Sequence, residues 1–362
     1  MPSIATPSST PCPLPSPGQF LSTVSSSCTT LAQLAAPDIS INSDAISTFV
    51  EGLDRGIYED VANQPTVRLP LKFESVEQEC NVMGLIGLLG FGSGWDDMLG
   101  ERDAGGTVLF GVMSMHISAT KIDGEYMSKM GLALVSELFN IPLTRDVPHA
   151  TLPITLTEPH PLRKYAEQLL HVINETGTLL KEKGYRNLGH FILDAARQGS
   201  MDALVEALVT TIPSLRDMER WGGVDIYFFR RAQLIALHTF HILHCHRPSS
   251  PFPPTAPHTL TLTPDPALLS HLIFHNIVTL SPTMQTKLAA DVDMTAEVER
   301  WDLRLRAVGV EAGRRVVQAA AAAGVGMSAG DLEAYLRRVG SQEEEERGKV
   351  VGGFGGRESV FY

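Results

Sequence analysis

The sequence predicts a mainly α protein, with one helical domain over about residues 40–340 between two disordered ends. Three observations carry this reading. Apolar residues recur at three- and four-residue spacing through most of the middle of the chain. A single short alternating piece, Val224, Ile226 and Phe228, reads as a strand, too little for a parallel sheet. No internal repeat of fixed period is present.

The elements follow in chain order. Residues 1–37 are rich in Ser and Thr and hold seven prolines: Pro2, Pro7, Pro11, Pro13, Pro15, Pro17 and Pro37. Such a composition buries too little apolar surface to offset its ordering entropy, so disorder is expected there. "SVEQECNVMGLIGLLGF" reads as a helix buried toward its end. "GEYMSKMGLALVSELFN" reads as one amphipathic helix stopped at Asn140, Ile141 and Pro142. In "HPLRKYAEQLLHVINETGTLLKEKG", Leu162, Tyr165, Leu169, Val172, Ile173, Leu179 and Leu180 share a face, and Gly184 is the C-terminal stop. "NLGHFILDAARQG" follows with Asn187 as its candidate cap, then "MDALVEALVTTIP", ended by Pro213. The helix "RRAQLIALHTFHILHCH" comes after the strand piece. A proline-rich connection leads to two last helices, over about 295–323 and 328–339. Residues 342–362, acidic and then Gly-rich, are expected to be disordered.

Of the 362 residues 43% are hydrophobic and 19% charged, with a net charge of −12. That balance argues against a protein that tracks phosphate backbones, which needs a basic face, so no direct nucleic-acid contact is expected. The four cysteines, Cys12, Cys28, Cys80 and Cys245, show no CxxC or zinc-finger spacing, which points to a reducing compartment. No apolar run approaches the ~20 residues of a membrane helix, and no membrane association is expected. The first basic residue is Arg55, so neither a secretory nor an Arg-rich transit segment fits the N-terminus. A cytoplasmic protein is expected, with nuclear access left open. Oligomeric state is not legible.

The densest chemistry lies at Arg230 and Arg231, two cations opening a helix that is apolar around most of its circumference. Arginines in a first turn face the positive end of the helix dipole, and a buried unpaired charge costs far more. The pair therefore needs anions. One reading is a bound phosphate held by arginine and helix amides. The other is ion pairing with Asp217, Glu219 or Asp225 nearby in sequence. His238, His241, His244, His246 and Cys245 resemble a metal cluster, but zinc needs a closed set of four ligands and no second cluster is evident. No metal site is expected. "LLGFGSGWDD" lacks the G-x-G-x-x-G spacing of a dinucleotide site, and no cofactor is expected. It reads as a turn presenting Phe91 and Trp95, either to the flat face of a base or to the core. Asp217, Asp225 and Asp265 each sit near a helix start or turn, where capping is the ordinary role. No nucleophile elbow, Ser-His-Asp order or P-loop is found.

At these residues the chain resembles the queuosine salvage proteins, the queuosine 5′-phosphate N-glycosylase family. "IPSLRDMERWGGVDIYFFRRAQLIA" is similar to the family's proline-aromatic stretch, glycine, and aromatic–Lys–Arg–Ala–Gln run. Phe229, Arg230, Arg231, Ala232 and Gln233 take those places, with Arg230 where the family has lysine. "LLGFGSGW" stands at the family's Leu-Asn-Phe segment with Gly90 for asparagine. "TLTPDPALLSHLI" resembles its Ala-Asp-Tyr-Arg-x-Pro segment, keeping Asp265 but with Pro266 and Ala267 for Tyr and Arg. "LRLRAVGVEAGRR" resembles the closing helix, with Arg304 and Arg314 for two glutamates. The resemblance is collinear over about residues 70–320, and it identifies a divergent member.

The resemblance implies a helical fold similar to DNA glycosylases and a nucleoside 5′-phosphate as the small-molecule partner. It implies hydrolysis of the N-glycosidic bond of queuosine 5′-phosphate, releasing queuine for tRNA. Breaking that bond builds positive charge on the ribose, which a carboxylate beside the anomeric carbon would stabilise. Asp265 is the catalytic candidate, with Arg230 aiding the departing 7-deazapurine by its charge. Arg231 is expected on the phosphate, with Phe91, Trp95 and Phe229 as substrate-binding aromatics. Arginine cannot donate a proton at ordinary pH as a tuned lysine can, which leaves a second reading open. In that reading the chain is a catalytically impaired descendant that binds nucleotide or serves as a scaffold. A helical interaction protein without a small-molecule site is the third.

Overall fold

In the computed structural model, residues 12–62, 64, 69–119, 121–149, 151–246, 250–289, 300–347 and 357 are described. Helices dominate, and the described strands pair only as three antiparallel two-stranded sheets. Ile39–Ile41 pairs with Val278–Leu280, Thr144–Pro148 with Thr155–Pro159, and Met218–Trp221 with Val224–Tyr227. The mainly α expectation holds. No described helix is long and apolar enough to cross a membrane.

The chain divides into two compact units, one from Met1–Lys72 with Ala195–Phe354, the other from Phe73–Asp194 with Gly355–Tyr362. The second unit gathers around the Arg163–Glu182 helix, whose Tyr165, Leu169, Val172, Ile173 and Leu180 are buried, as their spacing requires. Gly184 ends it at φ +77. The expected 124–140 helix is two, Gly124–Ser128 and Leu132–Phe139, broken before Gly131. Its first piece lies against the Arg163–Glu182 helix at Gly177, where a Cβ would stand 2.5 Å from the Ser128 amide nitrogen. Asn140 closes the second piece in the left-handed region, φ 53. Asn187 caps the Leu188–Ala196 helix as expected, accepting from the His190 amide at 2.8 Å.

The first unit corrects the reading of residues 1–37. Residues 1–11 lie outside the described residues, but Phe20–Ala35 is a regular helix. Phe20, Leu21, Val24, Cys28 and Leu31 recur on one face and are buried. Its hydroxyls bond back to carbonyls of the preceding turn, as Thr23 does to Gln19 and Thr30 to Ser26. Six of the seven prolines that suggested disorder precede this helix and Pro37 follows it, and composition averaged over the whole segment hid its periodicity. The helix start is satisfied from far along the chain. Asp202 accepts from the Leu21 amide at 2.6 Å and Glu206 from that of Gly18 at 2.8 Å. The same helix packs on Trp301–Ala322, where Thr29 donates to Glu311 at 2.9 Å.

At the other end, Ala329–Arg347 is helical past the expected boundary, and Arg357 donates to the Gly94 carbonyl and to Asp97. The other residues of the expected tail beyond 347, and residues 295–299 of the expected penultimate helix, lie outside the described residues.

Two outcomes follow from this packing. Phe20→Ala empties a buried aromatic site beside Phe229, and urea unfolding should show a loss of about 3–5 kcal/mol. Burial alone would raise the Glu311 carboxyl, but bonds from Arg314, Arg315 and Thr29 hold it at about 2. Its contribution to stability is therefore full above pH 4.5 and lost as pH falls toward 2. The difference in urea midpoint between the native chain and Glu311→Gln should shrink over that window.

Candidate functional site

The site is built where the hairpin Met218–Trp221/Val224–Tyr227 runs into the helix Arg230–His246. Phe228 and Phe229 make the corner. Both of their amides donate to the Asp217 carbonyl, at 2.9 and 3.3 Å. Phe229 sits at φ 48, a conformation costly for a bulky residue, and the packing of its buried ring on Phe20 and Tyr227 holds it there. The turn delivers Arg230 and Arg231 directly onto the helix start.

Gln233 then joins this corner to a distant segment. Its amide NH2 donates to the Phe228 carbonyl at 2.8 Å and to the Thr261 hydroxyl at 2.9 Å. Its carbonyl accepts from the Thr261 amide at 2.8 Å. Four residues on from Thr261 stands Asp265, which caps the Pro266–Phe274 helix by accepting from the Leu268 amide at 2.9 Å. Pro266 at the first helical position has no amide to leave orphaned. The second oxygen of Asp265 accepts from Arg230 at 3.2 Å and from Arg337, on the last helix, at 2.5 Å. Arg337 also donates to Glu333, one turn earlier, at 2.9 Å, and Glu333 accepts from the Thr263 hydroxyl at 2.7 Å.

Two guanidiniums and two carboxylates thus form one mostly buried network. The Arg230 and Asp265 side chains are 17% and 18% exposed, that of Arg337 34%. Burial works against ionisation of Asp265, yet Arg337, Arg230 and the Leu268 amide outweigh it. They hold the carboxyl well below the usual carboxylate range. Burial likewise opposes the charge on Arg337, and Asp265 and Glu333 more than restore it.

Of the sequence candidates, the structure brings Arg230 and Asp265 together. Arg231, 2% exposed, donates to the Ser214 carbonyl. The three carboxylates offered as partners for the arginine pair hold other arginines: Asp217 holds Arg306, Glu219 Arg300 and Asp225 Arg220. Arg306 also lies over the Phe228 ring at 3.9 Å, so the corner is braced by a buried ion pair.

Phe91 and Trp95 belong to the second unit and pack on Tyr165. The Tyr165 hydroxyl donates to the Phe91 carbonyl, and Arg357 lies 5.3 Å from the Trp95 ring. Both rings are buried, which fits the core reading of this segment. Gly92 is required there: it has φ +105, and a Cβ would stand 2.4 Å from the Tyr165 ring. Phe229 too is fully buried in packing. His238 is buried, His244 lies on Phe240 at 4.0 Å, and burial lowers the His241 pKa. Among the described residues no three His, Cys, Asp or Glu gather as a metal site.

Sequence reasoning missed Arg337, Glu333 and Thr263. Glu333 and Arg337 are visible as an i,i+4 pair on a helix, a pattern ordinarily read as a solvated face. Their link to Asp265 spans about seventy residues and leaves no local trace.

Residues 123–357, more than half of the chain, match the family described as "Queuosine salvage protein". A curated bovine (Bos taurus) protein, "Queuosine 5'-phosphate N-glycosylase/hydrolase", is 29% identical over 115 residues. That match covers 31% of this chain and 32% of the relative, so the chain spans about a third of the length of the curated protein it matches. The arginine corner, the Gln233 tie and Asp265 all lie inside the matched region, and the chain belongs to the queuosine salvage protein family.

Proposed function

We propose that this protein hydrolyses the N-glycosidic bond of queuosine 5′-phosphate, releasing queuine and ribose 5-phosphate. The observation that supports it is the placement of Asp265 within 3.2 Å of Arg230, at a corner braced by Gln233, in a chain of this family. The name of the bovine relative agrees with the reaction.

In this reading the bond from C1′ to the base nitrogen lengthens and its electron pair moves onto the base. Positive charge accumulates on the ribose, and the Asp265 carboxylate, ionised throughout the physiological range, offsets it. Water closes on C1′ and gives up one proton, while the departing base takes one. A 7-deazapurine cannot be protonated at position 7, so its departure depends on charge stabilisation at its other polar edge. Arg230 would supply that charge but no proton.

A second reading is a catalytically impaired descendant that still binds the nucleotide. One observation favours it. Both oxygens of Asp265 are already engaged, one by the Leu268 amide and the other by two arginines. A carboxylate so held is a weak base.

Queuine release from queuosine 5′-phosphate by the purified full chain decides between them. Under the hydrolase reading Asp265→Asn should lower kcat by about 100-fold or more, the size seen when one charge-stabilising group is removed. Arg230→Lys, restoring a side chain able to donate a proton, should raise kcat. Calorimetric binding of queuosine 5′-phosphate without release by the native chain would establish the impaired descendant instead.

A further inference from the structure

Arg337 is the most exposed member of the network that closes on Asp265, and it bridges the two carboxylates. Arg230 rises from a buried helix whose start is tied down through Gln233, and its side chain is half as exposed. Arg337 extends from the last helix with Glu333 one turn before it holding both Nε and one terminal nitrogen, at 3.2 and 2.9 Å. Glu333 is itself held by the Thr263 hydroxyl. The guanidinium is therefore anchored independently of Asp265, and it can leave that carboxylate without becoming unpaired.

We infer that Arg337 determines specificity at this site: at rest it locks Asp265, and the 5′-phosphoryl group of an incoming nucleotide draws it off. This rests on the hydrolase reading above for its reaction, though not for its binding behaviour. A phosphoryl group carries more negative charge and more acceptor oxygens than the one Asp265 oxygen that Arg337 contacts. Its geometry matches a guanidinium edge, so it competes well for the same donors.

Release has a chemical consequence. Asp265 loses one of two cations and gains a nearby anion, and both changes raise its affinity for a proton. The carboxylate can then accept a proton from the water whose oxygen bonds to C1′, as the C1′–base bond breaks with its electron pair moving to the base. That proton then passes to the departed base, and the carboxylate is regenerated. An uncharged nucleoside offers nothing to displace Arg337 and leaves Asp265 inert. The same lock that makes the resting carboxylate a poor base thus becomes a test for phosphate.

The experiment compares the native full chain with Arg337→Gln, Arg337→Lys and the double variant Arg337→Gln/Glu333→Gln, which leaves no bereft carboxylate if the single change unfolds the protein. Each is given queuosine 5′-phosphate and queuosine, with queuine release and calorimetric binding as readouts. The native chain should favour the phosphate by about 100-fold in kcat/KM, the scale of one charge-paired contact. Arg337→Gln and the double variant should compress that preference to about 10-fold or less while raising turnover of the nucleoside, with Arg337→Lys between them. Equal loss on both substrates, or an unchanged preference, would overturn the inference. If no protein releases queuine from either substrate, the hydrolase reading falls, and binding decides the role of Arg337. Tighter native binding of the phosphate form, abolished in the glutamine variants, supports it; binding that ignores the phosphate or the substitution refutes it.

Discussion

The architecture of the first unit turns on how a helical interior accommodates buried arginines. Each must find an anion or a carbonyl, since an uncompensated buried charge would cost several kcal/mol, a large share of a domain's total stability. The solutions are distributed along the chain: Arg230 and Arg337 on Asp265, Arg306 on Asp217, Arg231 on the Ser214 carbonyl. These bonds fasten the hairpin corner, the Asp265 segment and the last two helices to one another. Apolar packing supplies most of the driving force, but it does not specify which helix end meets which. The charged contacts do, because a shift of one helical turn would leave a guanidinium stranded.

The same arrangement bears on chemistry. Hydrolytic cleavage of a glycosidic bond requires a carboxylate beside a developing cation, and such a group is most useful when its ionisation is secured in advance. Asp265 is secured by two arginines and a helix amide. The arrangement trades proton affinity for guaranteed charge. In the proposed reaction a lysine in place of Arg230 could surrender a proton, whereas the arginine contributes only its charge. Gln233 has the complementary task of fixing where these charges meet, since its side-chain amide joins the Phe228 corner to the Thr261 segment.

Much of this was legible in the sequence, and the limits have physical causes. The Arg163–Glu182 helix could be read because its apolar face repeats over five turns and Gly184 ends it. The Arg230–Arg231 pair stood out because charge at the mouth of an apolar helix demands an explanation. Asp265 could be singled out through the family resemblance, and its capping role through its place before Pro266. The leader helix was hidden because its serines and threonines satisfy themselves on their own backbone, which composition counts as polarity. Arg337 was hidden because a charged pair one turn apart looks the same whether it faces water or a third charge brought in by folding. Phe91 and Trp95 could not be apportioned between ligand and core, since the burial that separates the two is a property of the fold.

The capping of the Phe20–Ala35 helix by Asp202 and Glu206 constrains the order in which the chain can be assembled during synthesis. The first amides of that helix gain these partners only once the region near residue 206 has been made, and its apolar face waits longer, for Trp301–Ala322. The unit between Phe73 and Asp194 is nearly continuous, so its contacts can close early. The discontinuous unit must instead keep its leading segment unmarried while a whole intervening unit emerges. During that interval the apolar face of this helix, with Phe20, Leu21 and Leu31, lacks the surface it buries against in the folded unit.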